Sequence, residues 1–493
     1  VSDYSALLKE CVKNKVLPTI QIENSTAASA LASAMKATGC YDVNVISADA
    51  SALKVIRDSN KISRTGLIYG LTVSKLTSKE AHTVRGAVKS APANFVVFPD
   101  STYVSKQVVM ELQELGCPVW VKTAATKGSA DFEAEIVKVL ATGVNGILTQ
   151  SEDEVHTLIN KHFASSSFIR TPNIVGHRGY AAGGAIENTL ESFKLAYEYG
   201  ATFFELDVYS TSDNGLVLYH DNKLAYNTTH NYNTNYSGSK YIEQMTLAEI
   251  KNVKYTKDNS NITQFYEVLE YFKDKDIRIF IEFKGGQTDR TVKYTAEAVK
   301  KYGMEDRIVI ICSATGFLEN AIKYFNGTVT NSFVYANNSL TGYAPQDTPA
   351  WSAAETREEN LSIMSFLLNR VGHTNSNFGP ALGAVSQGFN KDNFLGEAAT
   401  NRGIQVNPWT YGSYVNNNIG FFSDVDSITT DLTDWSKNMA RYITASNISL
   451  ETGKTYDGSG VTYTTYGRET KAVDTANLTY TLKNTELRLH YCF

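Results

Sequence analysis

Short apolar runs alternate with amphipathic segments along most of this chain, a pattern that predicts parallel α/β structure. In the first third, six runs have the length of strands, and a helical segment separates each from the next. These runs lie at residues 18–23, 43–47, 66–69, 94–98, 119–122 and 146–149. We therefore expect an α/β domain at 1–170.

The same rhythm continues with eight further apolar runs and suggests a larger, closed structure. The runs lie at 173–175, 203–208, 278–284, 307–312, 328–334, 383–388, 404–409 and 427–430. Eight strand–helix units over about 260 residues have the size of a TIM (β/α)8 barrel. The alternative is an open doubly wound sheet, although no Gly-rich phosphate loop follows the first strand, which weighs against its nucleotide-binding forms.

The two regions share local sequence patterns in the same order. PTIQIENS at 18–25 matches IRIFIEFK at 277–284, and GCPVWVKTA at 116–124 matches RGIQVNPWT at 402–410. We interpret 1–170 as an incomplete, degenerate copy of the barrel that lacks its first two strands. Glu23 then stands where Glu282 stands, but Ser25 replaces Lys284. Chance similarity between two α/β segments is the alternative.

The chain changes character after Asp431. A helical turn at 435–442 leads into 446–493, which is rich in Thr, Tyr and Gly and alternates like β-strands. This divides the chain into the first α/β domain (1–170), a barrel domain (171–445) with an insertion at about 222–261, and a small β-rich segment (446–493).

Composition excludes several classes of protein. The net charge of −5 argues against nucleic-acid binding, and the five scattered cysteines indicate neither a zinc site nor a disulfide framework. No apolar run approaches the roughly 18 residues that cross a bilayer. The 29 tyrosines and many neutral polar residues are typical of secreted or cell-surface bacterial proteins, with a cytoplasmic location as the alternative. The oligomeric state is not indicated.

Three carboxylates are expected at neighbouring strand ends of the barrel domain. Glu205 and Asp207 lie two residues apart on one strand and so face the same side, and Glu282 ends the next barrel strand. Carboxylates without cysteine favour a hard divalent cation, Ca²⁺ or Mg²⁺, with Mn²⁺ also possible. The alternative is that these acids only form salt bridges with Lys284 and Arg178.

Histidines and cations complete the candidate site. His177 and His220 each follow a short strand beside the acids and could act as a general acid/base pair near neutral pH. Arg178 and Lys284 supply positive charge that suits a phosphate. Together with a metal, these groups indicate phosphodiester chemistry.

The motifs that carry these residues resemble those of the glycerophosphodiester phosphodiesterases over about 173–435. In order they are HRG (177–179), EN (187–188) before Thr189, ELD (205–207), TSDNGLVLYHD (211–221), ITQFYEVLEYF (262–272), IEFK (281–284), VNPWT (406–410) and SITTD (427–431). The resemblance implies a TIM barrel that hydrolyses small-molecule glycerophosphodiesters to glycerol 3-phosphate and an alcohol.

The same resemblance assigns roles to residues. It makes His177 and His220 the acid/base pair, gives Glu205, Asp207 and Glu282 to the metal, and gives Arg178 and Lys284 to the phosphate. Trp409 could line the substrate's glycerol end or have a packing role. Two other functions stay open: a relative that cleaves or cyclises larger phospholipids in the manner of a phospholipase D, and a non-enzymatic surface binding protein.

Overall fold

The chain forms two parallel sheets with helices packed on them. The computed structural model describes residues 3–162, 170, 172–225, 233–284, 287–325, 333–337, 377–380, 398–413, 417 and 425–434. We call the sheet of residues 19–148 and its helices the half-barrel, and the sheet of residues 173–430 and its helices the second barrel. The predicted turn at 435–442 and β-rich segment at 446–493 lie outside the described residues.

The half-barrel contains six parallel strands that pair in chain order. Lys122 at the end of the fifth strand donates to Gln21 Oε1 on the first at 2.9 Å, so the sheet curls towards closure. The strands are β1 (Thr19–Gln21), β2 (Asn44–Ser47), β3 (Arg64–Ile68), β4 (Phe95–Phe98), β5 (Val119–Lys122) and β6 (Gly146–Leu148). All six predicted strands are therefore confirmed, with ends that differ by at most two residues.

Seven helices accompany these strands, and several begin at side chains that cap their free backbone N–H groups. Thr77 and Glu80 form a reciprocal capping box at the start of the fourth helix, as this residue pair favours. The helices are α1 (Tyr4–Lys13), α2 (Ser25–Thr38), α3 (Ala50–Ser59), α4 (Ser78–Ser90), α5 (Lys106–Gln113), α6 (Phe132–Ala141) and α7 (Glu152–His162).

The second barrel is a ring of parallel strands with one antiparallel hairpin strand, β9, attached to β8. Seven strands pair in the order β13-β12-β11-β10-β8-β7-β14. Together with β9, the strands of the second barrel are β7 (Asn173–Gly176), β8 (Phe203–Ser210), β9 (Leu216–Leu218), β10 (Arg278–Phe283), β11 (Ile308–Cys312), β12 (Phe333–Asn337), β13 (Asn377–Pro380) and β14 (Ser427–Thr430).

Residues 404–411 close the ring between its two end strands. On the β14 side, the backbone N–H of Asp426 donates to the backbone oxygen of Val406 at 2.8 Å. On the β13 side, the Gln405 N–H donates to Asn377 Oδ1 at 2.9 Å. The predicted closed (β/α)8 barrel is thus confirmed, and the segment predicted as its seventh strand occupies the closing position.

Two strands of the ring differ from the prediction within the described residues. The strand Phe333–Asn337 overlaps the end of the fifth strand expected at 328–334, of which 328–332 lie outside the described residues, and the strand Asn377–Pro380 was not predicted, the sixth being expected at 383–388. The sequence NFGP contains glycine and proline, which have low strand propensity, so an apolar run further along the chain was the stronger signal. Residues 383–388 themselves lie outside the described ranges.

The helices of the second barrel pack an apolar face on the sheet. In α10 the buried residues are Phe265, Val268, Leu269 and Phe272, which follow the spacing of one helical face. These helices are α8 (Leu190–Glu198), α9 (Leu247–Lys251), α10 (Phe265–Phe272), α11 (Asp289–Lys301) and α12 (Thr315–Phe325). Across the described part of the chain, no helix is long and apolar enough to cross a membrane.

The half-barrel and the second barrel meet at the amino ends of their strands. Glu114, just after α5, forms an ion pair with Arg278, the first residue of β10, at 2.5 Å. Asn44, the first residue of β2, donates to the backbone oxygen of Asn401 at 2.9 Å. Leu115 packs inside the base of the second barrel against residues from five of its strands: Val175, Phe203, Phe280, Val309 and Val334. The opposite, carboxyl end of the second barrel is left open for a site.

Candidate active site

The predicted site residues come together at the carboxyl ends of β7, β8 and β10. His177 and Arg178 follow β7 directly, while Glu282 is the register partner of Asp207 on the adjacent strand. They surround a cavity of about 850 Å³ whose lining includes both predicted histidines, Glu282, Lys284 and Trp409. The carboxyl end of the strands is where barrel proteins place their sites.

Three carboxylates form a compact anionic cluster beside this cavity, and one of them, Glu282, lines it. One oxygen from each of Glu205, Asp207 and Glu282 lies within 4.8 Å of the others. Glu205 is 2% exposed, and its Oε1 has no hydrogen-bond partner, an arrangement that is costly unless a cation binds there. Burial raises the pKa of Glu205 well above its ordinary value, and the charges of Asp207 and Glu282 raise it further. The cluster therefore fits a divalent cation with oxygen ligands.

Two cations balance part of this negative charge. Lys284 Nζ lies 2.7 Å from Asp207 Oδ1 and 2.8 Å from Glu282 Oε1, and Arg178 Nη1 lies 3.1 Å from Glu187. Burial opposes ionisation of Asp207, but Lys284 and Arg178 outweigh it and lower the pKa of that carboxyl. Asp207 is accordingly an anion at neutral pH. The salt bridges expected as the alternative to a metal site are thus present together with an unpaired carboxylate oxygen.

The loop that carries Arg178 is held by Asn188. Arg178 and Asn188 both have positive φ, 51° and 55°, a conformation unusual for residues with a side chain. The Asn188 N–H donates to Arg178 O at 3.0 Å, and its amide exchanges two hydrogen bonds with Asp207, at 2.9 and 3.1 Å. The EN motif thus fixes the loop and orients one of the three carboxylates.

Each histidine has a carboxylate beside Nδ1. His177 Nδ1 lies 2.6 Å from Asp431 Oδ1, and His220 Nδ1 lies 3.2 Å from Asp221 Oδ1. With Nδ1 engaged as a donor, Nε2 of each ring is the nitrogen that can exchange a proton with substrate. Burial lowers the pKa of His220, although Asp207 counteracts this effect. The lowered pKa favours the neutral form of His220, which is the form that can accept a proton.

Asp431 was not among the residues predicted for the site. It ends the SITTD motif, directly after β14, and lies 254 positions from His177 in the chain. The signal was available, because closure of a barrel pairs the last strand with the first, and β14 does pair with β7. Trp409 lines the cavity and also packs on the apolar cluster beneath it, and its place at the glycerol end of a substrate stays a prediction.

The insertion forms one wall of the cavity. Gln244, in a short 3₁₀ turn at Ile242–Gln244, and Tyr241, just before that turn, line the cavity at this side. Between them, Glu243 accepts hydrogen bonds from Ser210, Thr288 and Thr291, which attaches the insertion to β8 and α11. Sequence reasoning gave this segment no part in the site, since only folding brings it to the strand ends.

The second barrel thus brings three carboxylates, two cations and two histidines together beside one open cavity at its carboxyl end. Residues 177–435, more than half of the chain, match the glycerophosphoryl diester phosphodiesterase family. The chain belongs to the glycerophosphoryl diester phosphodiesterase family.

The chain is also similar in sequence to individual curated proteins. The chain is 33% identical over 149 residues to a glycerophosphodiester phosphodiesterase of Caldanaerobacter subterraneus, covering 28% of this chain and 56% of the relative. It is 33% identical over 138 residues to human lysophospholipase D GDPD1, covering 27% and 42%. The chain thus spans about half the length of the curated relatives it matches.

Solved structures of similar proteins cover a little more than half of this chain. A phosphodiesterase of Oleispira antarctica in complex with the product sn-glycerol-3-phosphate is 18% identical, covers 55% of this chain and 96% of its own, and has a TM-score of 0.41. A glycerophosphodiester phosphodiesterase of Thermotoga maritima is 22% identical, with coverage of 55% and 99% and a TM-score of 0.39.

Proposed function

We propose that the second barrel hydrolyses glycerophosphodiesters to glycerol 3-phosphate and an alcohol. The observation that carries this proposal is the meeting of His177, His220 and the carboxylate cluster around one cavity, inside a stretch that matches the phosphodiesterase family. A divalent cation held by Glu205, Asp207 and Glu282 would supply positive charge to the non-bridging phosphate oxygens. Ca²⁺, Mg²⁺ and Mn²⁺ all suit these ligands.

The residues of the chain bind and orient the phosphate in this proposal. Arg178 and Lys284 are the cations beside the carboxylates, and both keep their charge, since Asp207 and its neighbours raise their pKa values against the effect of burial. Fixed cations that need no reorganisation stabilise the charge that develops on phosphorus-bound oxygens during displacement.

Proton transfer falls to the two histidines. The free glycerol hydroxyl of the substrate attacks phosphorus, His220 accepts its proton, and His177 protonates the departing alcohol oxygen as the P–O bond breaks. Water then opens the resulting cyclic phosphate with the two roles reversed, which yields glycerol 3-phosphate. The lowered pKa of His220, which burial causes, favours the form that accepts a proton and supports its assignment as the first base.

A metal-dependent activity screen tests the proposed function. The full chain, freed of metal by chelation, is incubated with glycerophosphocholine, glycerophosphoethanolamine and glycerophosphoglycerol in the presence of Ca²⁺, Mg²⁺ or Mn²⁺. We expect release of glycerol 3-phosphate with at least one cation and none in chelator. Absence of product from the whole panel with all three cations contradicts the proposal.

A second candidate is hydrolysis of lysophospholipids, because one matched relative is named lysophospholipase D. The cavity of about 850 Å³ has room for more than a glycerol phosphate. The two candidates differ in product, since a lysophospholipid gives lysophosphatidic acid rather than glycerol 3-phosphate.

We also propose a location outside the cell, which is suggested by composition alone.

A further inference from the structure

Arg64 is buried inside the half-barrel, at the amino end of β3. It is 1% exposed, and it is among the largest side chains that are fully buried in the described part of the chain. Two positions further along the same face of β3, a Cβ at Gly66 would lie 2.3 Å from the Phe95 ring, which stacks on Trp120. Phe95 and Trp120 belong to the apolar cluster inside the curled sheet. Arg64 therefore points to the same interior.

The second barrel covers this end of the half-barrel. Asn44, the register partner of Arg64 on β2, donates to the backbone oxygen of Asn401 at 2.9 Å. In the same loop of the second barrel, a Cβ at Gly403 would lie 2.3 Å from the Phe95 ring. Arg64 is thus enclosed between the two sheets and shielded from solvent.

No anionic group of the described residues pairs with this arginine. Its Nε and Nη1 are both buried without a hydrogen-bond partner. The strands β1 to β6 contain no aspartate or glutamate, whereas they contain Arg64 and Lys122. A neighbouring buried arginine, Arg57, adds positive charge: burial first, and then Arg57, lower the pKa of Arg64.

The other unpartnered polar groups of this region are neutral, so they do not compensate the positive charge of Arg64. The indole N–H of Trp120 is also buried without a partner, so the interior has unused donors on at least two side chains. The Oδ1 atoms of Asn44 and Asn401 are unused acceptors, which could bind water or one N–H of the guanidinium but carry no negative charge. A buried charge without a counter-charge is strongly unfavourable.

We propose that the interior of the half-barrel binds a small inorganic anion beside Arg64, at the junction with the second barrel. The buried Nε and Nη1 of this guanidinium, which have no hydrogen-bond partner, suit a halide or a small oxyanion. This site is separate from the cavity of the second barrel, because Arg64 lies at the amino ends of the strands. The bound anion would stabilise the junction between the two sheets.

Crystals of the full chain soaked in sodium bromide test the proposal by anomalous diffraction. We expect a bromide peak within hydrogen-bond distance of the Arg64 guanidinium. Crystals soaked in sodium sulfate should show tetrahedral density at the same place if oxyanions also fit. Density for water alone beside Arg64 in both soaks overturns the proposal.

Thermal unfolding in solution gives a second readout. Bromide is added to a halide-free buffer at constant ionic strength, for the wild type and for Arg64→Met. Saturation of the site should raise the Tm of the wild type by about 2 °C or more, and the variant should not respond. The matched control is Arg85→Met, since Arg85 is also buried but lies 3.6 Å from Asp306 and has its own carboxylate.

If Arg64→Met does not fold, Arg64→Lys retains the charge and should keep a bromide response, while the bromide soak of the wild type needs no variant. Equal Tm shifts in the wild type and Arg64→Met would show that bromide acts elsewhere, and this contradicts the proposal.

Discussion

The half-barrel and the second barrel share one construction but differ in how they handle buried charge. In the second barrel, buried Arg178 lies among carboxylates, with Glu187 at 3.1 Å and Asp207 at 3.4 Å. In the half-barrel, buried Arg64 forms no ion pair with a carboxylate of the described residues. The strands β1 to β6 contain no aspartate or glutamate. Both sheets therefore offer strand ends at which a site can form. Whether a cation can bind there depends on a few acidic residues on the strands.

The junction adds a second difference. The base of the second barrel is filled by Leu115, a residue of the half-barrel, while its opposite end is open and lined by the site. The half-barrel therefore contributes packing to the second barrel without contributing a described side chain to the cavity. We interpret it as a structural support, and its origin as a degenerate barrel copy remains a prediction.

The largest expected effect concerns the histidines. His177→Ala and His220→Ala should each lower kcat by about 10²- to 10⁴-fold, because general acid–base catalysis is worth that much. The measurement is release of glycerol 3-phosphate at saturating metal. The matched control is His156→Ala on α7, an exposed histidine of the half-barrel, which should leave kcat unchanged. Full activity in both site variants would contradict the acid–base assignment.

The two buried arginines give the next contrast. Arg178→Met removes one of the two cations beside the buried carboxylates, so in chelator we expect a loss of about 3–5 kcal/mol in the free energy of unfolding. Arg64→Met removes an unpaired charge, so in buffer without small anions its free energy of unfolding should be equal to or above that of the wild type. Urea denaturation of both variants measures this. Equal losses in the two would show that Arg64 has a counter-charge after all.

Removing the Leu115 side chain tests whether the half-barrel supports the second barrel. Leu115→Ala leaves a cavity among five strands of the second barrel and should lower the free energy of unfolding by about 2–5 kcal/mol. Val12→Ala on α1 is the control, since Val12 is 59% exposed and should change stability by less than about 0.5 kcal/mol. If both variants unfold at the same urea concentration, the packing of Leu115 contributes nothing.

The smallest effect is expected at Asp431. Asp431→Asn keeps the shape of the residue but loses the charge beside His177 Nδ1, so the ring should be less well oriented. We expect kcat to fall by about tenfold to a hundredfold with little change in KM, and the pH profile of kcat to shift. An equal change in KM and none in the profile would indicate a substrate-binding role instead.

Much of this arrangement could be predicted from the sequence, because it depends on local signals. Apolar runs located the six strands of the half-barrel, and the spacing in ELD placed Glu205 and Asp207 on one face of β8. The strand Asn377–Pro380 was missed because its glycine and proline disguise it. The sequence motifs also predicted that Arg178 lies just after β7 and Lys284 just after β10.

The remainder depends on contacts between residues far apart in the chain. The His177–Asp431 pair requires closure of the barrel, and the wall around Tyr241 requires the insertion to fold back onto β8 and α11. Arg64 reads in sequence as an ordinary charged residue at the start of a strand. Its burial arises only when the second barrel covers the amino ends of the half-barrel strands.

The most direct test of the central claim, one cation site in the second barrel and none in the half-barrel, is a calorimetric titration of the chelated full chain with Ca²⁺, Mg²⁺ and Mn²⁺. We predict one bound ion per chain, lost in Glu282→Gln and retained in Glu23→Gln, the variant at the position of the half-barrel that aligns with Glu282. Loss of binding in Glu23→Gln, two ions per chain, or undiminished binding in Glu282→Gln would contradict this account.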